Sequence, residues 1–256
     1  MANERYYRGE ADKAKQIYLK EDHLVSRVGE FHDSVEFVFV REGVVEAHLY
    51  GDTKVMTEGC IFFADSYECH YYKPLTQKIK VIVLVLSREY IKDFRELYSG
   101  MTFNTFMFDK EKNKRIIEIV RKWMEEPLKT HIKNLGYANL LFSYLSESYP
   151  LVKVRERDND SFIKDLLKYI HKHYLEDITL NSIAKMCGYS ADYCSKILKK
   201  YVGCNFREYL NMLRMRKAEE LLADKSLKMT TLEILYKCGF NSPATFYRAR
   251  KRNNSQ

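Results

Sequence analysis

The chain has 256 residues, of which 46% are hydrophobic and 30% charged, and it carries a formal net charge of +8. That length predicts two domains, and that apolar share excludes a chain without packed cores. The longest apolar run, VIVLVL at Val81–Leu86, is too short to span a bilayer, and no basic start leads into a signal-like segment, so the sequence predicts a soluble, cytoplasmic protein without a membrane partner.

The first predicted elements are strands. The stretch VEFVFVREGVVEAHLYGDTKVMTEGCIFFAD, from Val35 to Asp65, alternates β-branched and aromatic runs with Gly and Asp turn signals, and YGDTK reads as a hairpin turn. KIKVIVLVL closes the set as a buried strand, which predicts an antiparallel sandwich or small barrel over about 25–86. KNKRIIEIVRKWMEE and HIKNLGYANLLFSYLSES then space apolar residues by three and four, predicting a helical hairpin at about 110–148, broken near Pro127. Two uses of this pair stay open: its apolar faces pack on their own barrel, or they pair with a second copy in a homodimer. YPLVKVRERDND, with Pro150 and dense charge, predicts a linker at 151–160.

From Ser161 the pattern is helical. Phe162, Leu166, Tyr169 and Ile170 are expected on one face of the first helix, and Phe206, Tyr209, Leu210, Leu213, Ala218 and Leu221 on the stripe of a longer one. Residues 1–160 hold 25 Lys and Arg against 26 Asp and Glu, whereas 161–256 hold 18 against 9. A basic excess confined to one domain points to a polyanionic partner. Six cysteines show no Cys-x-x-Cys spacing, so neither a disulfide framework nor a zinc knuckle is expected.

The basic part repeats itself. A Cys-Gly-aromatic triplet at 187–189 returns at 238–240, so that Gly188 and Gly239 lie 51 positions apart. In the first copy, 180–187 predicts a short helix, Ala184 lets a second helix approach, Gly188 supplies a positive φ, and Ser190 caps a helix running to about Tyr201. Cys194 and Ile197 pack the pair, leaving Asp192, Ser195, Lys196, Lys199 and Lys200 outward, where they suit a major groove. In the second copy, which has one residue more after the turn, Phe246, Arg248, Lys251 and Arg252 take the places of Cys194, Lys196, Lys199 and Lys200, with Thr245 and Tyr247 beside them.

This arrangement resembles the AraC/XylS-type transcription regulators, and the run IAKMCGYSADYCSKILKKYVGCNFREYLNMLRMRKAEELL matches that family nearly throughout. The resemblance implies a double helix-turn-helix domain at 161–256, two units joined by one long helix and reading successive major-groove segments of double-stranded DNA. Leu235 stands where the family usually has a small alanine, and Arg250 where it has a buried phenylalanine. Pro243 and Ala244 offer few hydrogen bonds, so base choice is expected mostly in the first unit.

Residues 1–150 resemble the cupin-like sensor domains of the same family. EFHDSVEFVFVREG spaces His32, Glu36 and Gly43 as in the first cupin motif, and GCIFFADSYECHYYKP places His70 as in the second. In enzymatic cupins the corresponding positions bind a metal; here Glu30 stands at the place of one histidine, Asp65 at that of a proline and Tyr67 at that of a glycine. His32, Glu36 and His70 admit three readings: a polar pocket for a small-molecule effector, a structural hydrogen-bonded cluster, or a two-histidine, one-carboxylate metal site. The first is the expectation, with no metal and no cofactor.

The expected whole is an α+β, two-domain chain: a cupin-like antiparallel barrel with its helical hairpin, then an all-α DNA-binding domain. The expected function is sequence-specific transcriptional regulation with a small-molecule effector. Alternatives are an effector-independent regulator or adaptor, and a metal-dependent cupin enzyme with a basic appendage. No Ser-His-Asp set, phosphate-cradling glycine loop or HExxH helix is seen in the sequence, so no catalytic residue is assigned.

Overall fold

The computed structural model describes residues 17–23, 29–49, 52–154 and 160–254, the side chains of 160 and 252–254 excepted. The chain divides into two compact units, Arg8–Glu156 and Arg157–Gln256.

The first unit holds strands β1 (Ile17–Asp22), β2 (Val35–Glu42), β3 (Val44–Leu49), β4 (Asp52–Thr57), β5 (Ile61–Ala64), β6 (His70–Pro74) and β7 (Lys80–Leu86). Helix α1 (Arg88–Leu97), short strands β8 (Met101–Thr102) and β9 (Phe106–Met107), helices α2 (Lys110–Glu125) and α3 (His131–Ser148), and β10 (Val152–Lys153) complete it. All strand pairing is antiparallel: a five-stranded sheet in the order β1-β7-β2-β5-β9, a three-stranded sheet β4-β3-β6, and the pair β10-β8.

Strands β2 and β7 are buried almost residue by residue because both of their faces are covered. Val35, Phe37 and Phe39 pack with Tyr90 and Phe94 of α1, Ile116, Val120 and Trp123 of α2, and Leu141 and Phe142 of α3. Alternate residues, Glu36 and Val38 among them, point to the other face. There the ring of Phe62 in β5 meets Tyr72 of β6 at 5.2 Å, which brings the two sheets together. Asn113 of α2 donates to the carbonyls of Gly59 and Met107, and Trp123 Nε1 donates to Asn134 Oδ1 of α3 at 2.9 Å. The apolar faces of the helical hairpin are thus used inside this unit.

Three features differ from the sequence reading. Strand β1 lies upstream of the expected start at 25; as an edge strand of mixed burial (IYLKED) it lacks the apolar run that marks β2 and β7. Helix α1 was not expected, because only Tyr90, Ile91 and Phe94 of its ten residues are buried. The predicted linker begins as structure, since Val152 and Lys153 pair with Thr102 and Met101. Residues 155–159 of that linker, the start of the expected barrel at 25–28, and Tyr50 and Gly51 of the YGDTK turn lie outside the described residues.

The second unit is helical: α4 (Asp160–His173), α5 (Leu180–Cys187), α6 (Ala191–Val202), α7 (Phe206–Ala223), α8 (Thr231–Lys237) and α9 (Pro243–Asn254). Its α4 face consists of Ile163, Leu166, Leu167 and Ile170, with Phe162 and Tyr169 only half-buried beside it, a shift of the expected stripe. Helix α7 buries Tyr209, Leu210, Met212, Leu213, Arg214, Met215 and Ala218, more than one stripe can hold, because it runs between the two repeats and packs on both.

Candidate functional site

Each repeat is built from strong local signals. Thr179 and Ser182 form a capping box at the start of α5, and Gly188 ends that helix at φ 74°. Ser190 then caps α6 by accepting a hydrogen bond from the Tyr193 N–H. Ala184, Cys194, Ile197 and Leu198 are buried between the helices. Asp192, Lys196, Lys199 and Lys200 are exposed and Ser195 is partly so, which leaves one basic, polar face outward. Lys196 Nζ lies 2.8 Å from Asp192 Oδ2, and this hydrogen bond holds the ammonium above its ordinary pKa.

The second repeat follows the same plan. Thr230 and Glu233 make the capping box of α8, Gly239 turns the chain at φ 81°, and α9 starts at Pro243. Phe246 is buried against Phe240, their centroids 5.5 Å apart. Tyr247, Arg248 and Lys251 are exposed. Thr245 is half-buried, its Oγ1 3.1 Å from Ser242 Oγ, and Arg248 Nε donates to the Ala244 carbonyl at 3.3 Å. The side chain of Arg252 lies outside the described residues. Leu235 fits as part of the apolar cluster with Ile234, Cys238, Phe240 and Phe246. Arg250 is exposed and pairs with Glu219 of α7 at 3.4 Å, so the position is held by an ion pair rather than a ring.

One buried residue escaped the sequence reading. Arg214 on α7 is 8% exposed and donates from Nε to the Tyr174 carbonyl and from Nη2 to the Glu176 carbonyl, both at 2.6 Å. It thereby satisfies carbonyls just beyond the end of α4 that have no helical partner. Burial lowers its pKa and Asp177 opposes that shift.

In the first unit, three sequence-predicted residues meet. His32 Nε2 lies 3.3 Å and His70 Nε2 3.4 Å from the same oxygen, Glu36 Oε2, and the Tyr72 hydroxyl donates to Oε1 at 2.9 Å. All three side chains are almost fully buried. Strand register places Glu36 opposite Ala64 on one side and Val85 on the other. His32 and His70 come from the loop before β2 and the start of β6, which the backbone pair between Glu30 and His70 ties together. Tyr67, at the place of the family's glycine, adopts φ 60°, and its N–H donates to the His32 carbonyl at 2.7 Å, so the tyrosine keeps the left-handed turn.

The four cysteines of the second unit, Cys187, Cys194, Cys204 and Cys238, have thiols pushed upward by burial, Cys204 to about 12.

Residues 183–255 match the helix-turn-helix domain family. The transcription factor PqrA of Proteus vulgaris, so described with the qualifier probable, is 30% identical over 96 residues, which cover 37% of this chain and 77% of that one. The Msm operon regulatory protein of Streptococcus mutans is 29% identical over 119 residues, 46% of this chain but only 42% of that protein's length. The fold resembles ToxT of Vibrio cholerae strain SCE256: an apo variant gives a TM-score of 0.54 at 15% identity over 92% of this chain and 93% of that one. Its unsaturated fatty acid bound wild-type form gives 0.51 at 14% identity, over 93% and 91%. The chain belongs to the AraC/XylS-type family of DNA-binding transcription regulators.

Two antiparallel sheets followed by a helical unit are the α+β, two-domain organisation of that family's neighbour. Among the described residues no helix is long and apolar enough to cross a membrane.

Proposed function

We propose that α5–α6 and α8–α9 are the two helix-turn-helix units, and that α6 and α9 enter successive major-groove segments about 34 Å apart. The observation that carries this reading is the repeat itself: two helices, each preceded by a positive-φ glycine, each presenting a cationic outer face on the basic unit. Asp192, Ser195 and Lys196 of α6, with Thr245, Tyr247 and Arg248 of α9, face bases; Lys199, Lys200, Lys251 and Arg252 meet phosphates.

In this reading the two sheets of the first unit form a cupin-like barrel that senses a small molecule, with His32, Glu36 and His70 as its polar centre. That ToxT, whose fold is similar, has been obtained with an unsaturated fatty acid supports the sensing role of such a unit. The outer face of the helices at 110–148, with Ile132 and Leu140 exposed, is where a second copy docks. The protein works in the cytoplasm.

Titrating duplex DNA with the full chain over a range of salt concentrations tests the DNA reading. With about five cations on phosphates, the logarithm of the binding constant falls against that of salt with a slope of about −4 to −5. A slope near zero contradicts it.

A further inference from the structure

Among the described residues Arg214 is the one charged side chain that α7 buries, and an apolar residue would occupy the same place at lower desolvation cost. What the guanidinium adds there is direction. Nε and Nη2 donate at 2.6 Å to the carbonyls of Tyr174 and Glu176, so the planar fork is held in one orientation on the connection between α4 and α5. The same group lies against the turn of the second repeat: a Cβ built on Gly239 would stand 3.0 Å from Arg214 Cζ and 2.8 Å from the Leu175 carbonyl oxygen. A glycine at φ 81° lets that turn close on the α4–α5 connection.

The rest of the second repeat's seat is less directional. Met215 and Ala218 of α7 share an apolar cluster with Leu235, Phe240 and Phe246, and apolar attraction has no preferred angle. The Arg250–Glu219 pair between α9 and α7 is partly exposed and contributes little. At Gly188 an added Cβ meets nothing within 4 Å, so the first turn is not clasped in this way. Angle is what two reading helices on one duplex must hold. Helix α9 has 12 residues and is about 18 Å long, so a swing of about 10° at the Gly239 turn moves its far end by about 3 Å, close to the rise of one base pair.

We propose that Arg214 is a positioning residue for DNA recognition: by clasping the Gly239 turn against the α4–α5 connection, it sets the angle of α9 relative to α6 and thereby the spacing between the two DNA segments that the chain accepts. The proposal rests on the reading of α6 and α9 as two heads for one site. It goes beyond stability, because a contact that only held the fold together would leave the preferred spacing unchanged.

The test uses the full chain and the duplex that it recovers from a random pool, resynthesised with one base pair inserted or removed between the two protected segments. Wild-type protein is expected to bind both altered duplexes at least about ten-fold more weakly than the original, the loss of about one base contact. Arg214→Met is expected to bind the original duplex more weakly and to keep less than about three-fold discrimination between spacings. Arg214→Lys, which keeps the charge but not the fork, is expected to fall between the two. Ile163→Ala, a cavity at a fully buried position early in α4, costs comparable stability and is expected to keep the wild-type discrimination. Circular dichroism at the assay temperature confirms that each variant is folded, and Arg214→Lys carries the test if Arg214→Met is not. Wild-type discrimination in the folded Arg214 variants overturns the proposal, and so does an equal loss of discrimination in Ile163→Ala. Wild-type protein indifferent to spacing would remove the two-headed reading, and this proposal with it.

Discussion

The guanidinium of Arg214 lies against Gly239, so closely that a Cβ added to the glycine would stand 2.8 Å from Nε. The same Cβ would stand 2.8 Å from the Leu175 carbonyl, which is backbone and cannot swing aside. At Gly188, its counterpart in the first repeat, an added Cβ meets nothing within 4 Å. Both glycines have positive φ, so alanine pays the left-handed penalty at each, but only Gly239 adds a clash. Gly188→Ala is predicted to cost about 1 kcal/mol and Gly239→Ala about 3 kcal/mol or more. Urea unfolding followed by circular dichroism ranks them; equal costs would show that the second turn relaxes freely.

Arg214 gives a second prediction. Arg214→Met keeps most of the side-chain volume but removes the guanidinium donor from the Tyr174 carbonyl and from the Glu176 carbonyl, which keeps only the Ile178 N–H. The expected loss is about 2–4 kcal/mol. Amide exchange should quicken at the end of α4 and in the turn around Gly239 together, since one side chain serves both.

The two faces differ in what they offer DNA. Lys196 is exposed and paired with Asp192, whereas α9 begins with Pro243 and Ala244. Lys196→Ala is predicted to cost about 1–3 kcal/mol on the preferred site and to relax choice at one base pair. Lys251→Ala weakens all sequences alike, as loss of a phosphate contact does. Panels of single-base operator changes decide it, and greater relaxation in Arg248→Ala than in Lys196→Ala would reverse the ranking of the units.

Acid should loosen the second repeat at its cap. Glu233 accepts from the Thr230 N–H and hydroxyl, and these bonds hold its carboxyl below the ordinary range. A depressed folded pKa means that the stabilisation is present above the unfolded pKa and is lost as pH falls through the folded one. The protection factors of the α8 amides, which remove the intrinsic slowing of exchange in acid, are expected to fall on acidification through that window, and less so in Glu233→Gln, whose amide oxygen accepts at every pH.

What the sequence made legible is what short-range chemistry encodes. Gly188 and Ser190 announce a turn into a capped helix because every partner lies within a few residues. His32, Glu36 and His70 were legible as a set from motif spacing, and Tyr67 at a glycine's place marks the backbone that the structure adopts. Arg214 was hidden because RMRK reads as a basic surface, and its carbonyl partners lie 40 and 38 residues away. Helix α1 and strand β1 were missed for the opposite reason: each buries too few residues to impose a period on the sequence.

The central claim, that one chain carries two reading heads for one DNA site, is tested most directly by selecting bound duplexes from a random pool with the full-length protein and footprinting what is recovered. The account predicts a preferred site with two protected major-groove segments on one face of the duplex, centred about 10 base pairs apart. Recovery of no preferred sequence, or protection of a single segment, would contradict it.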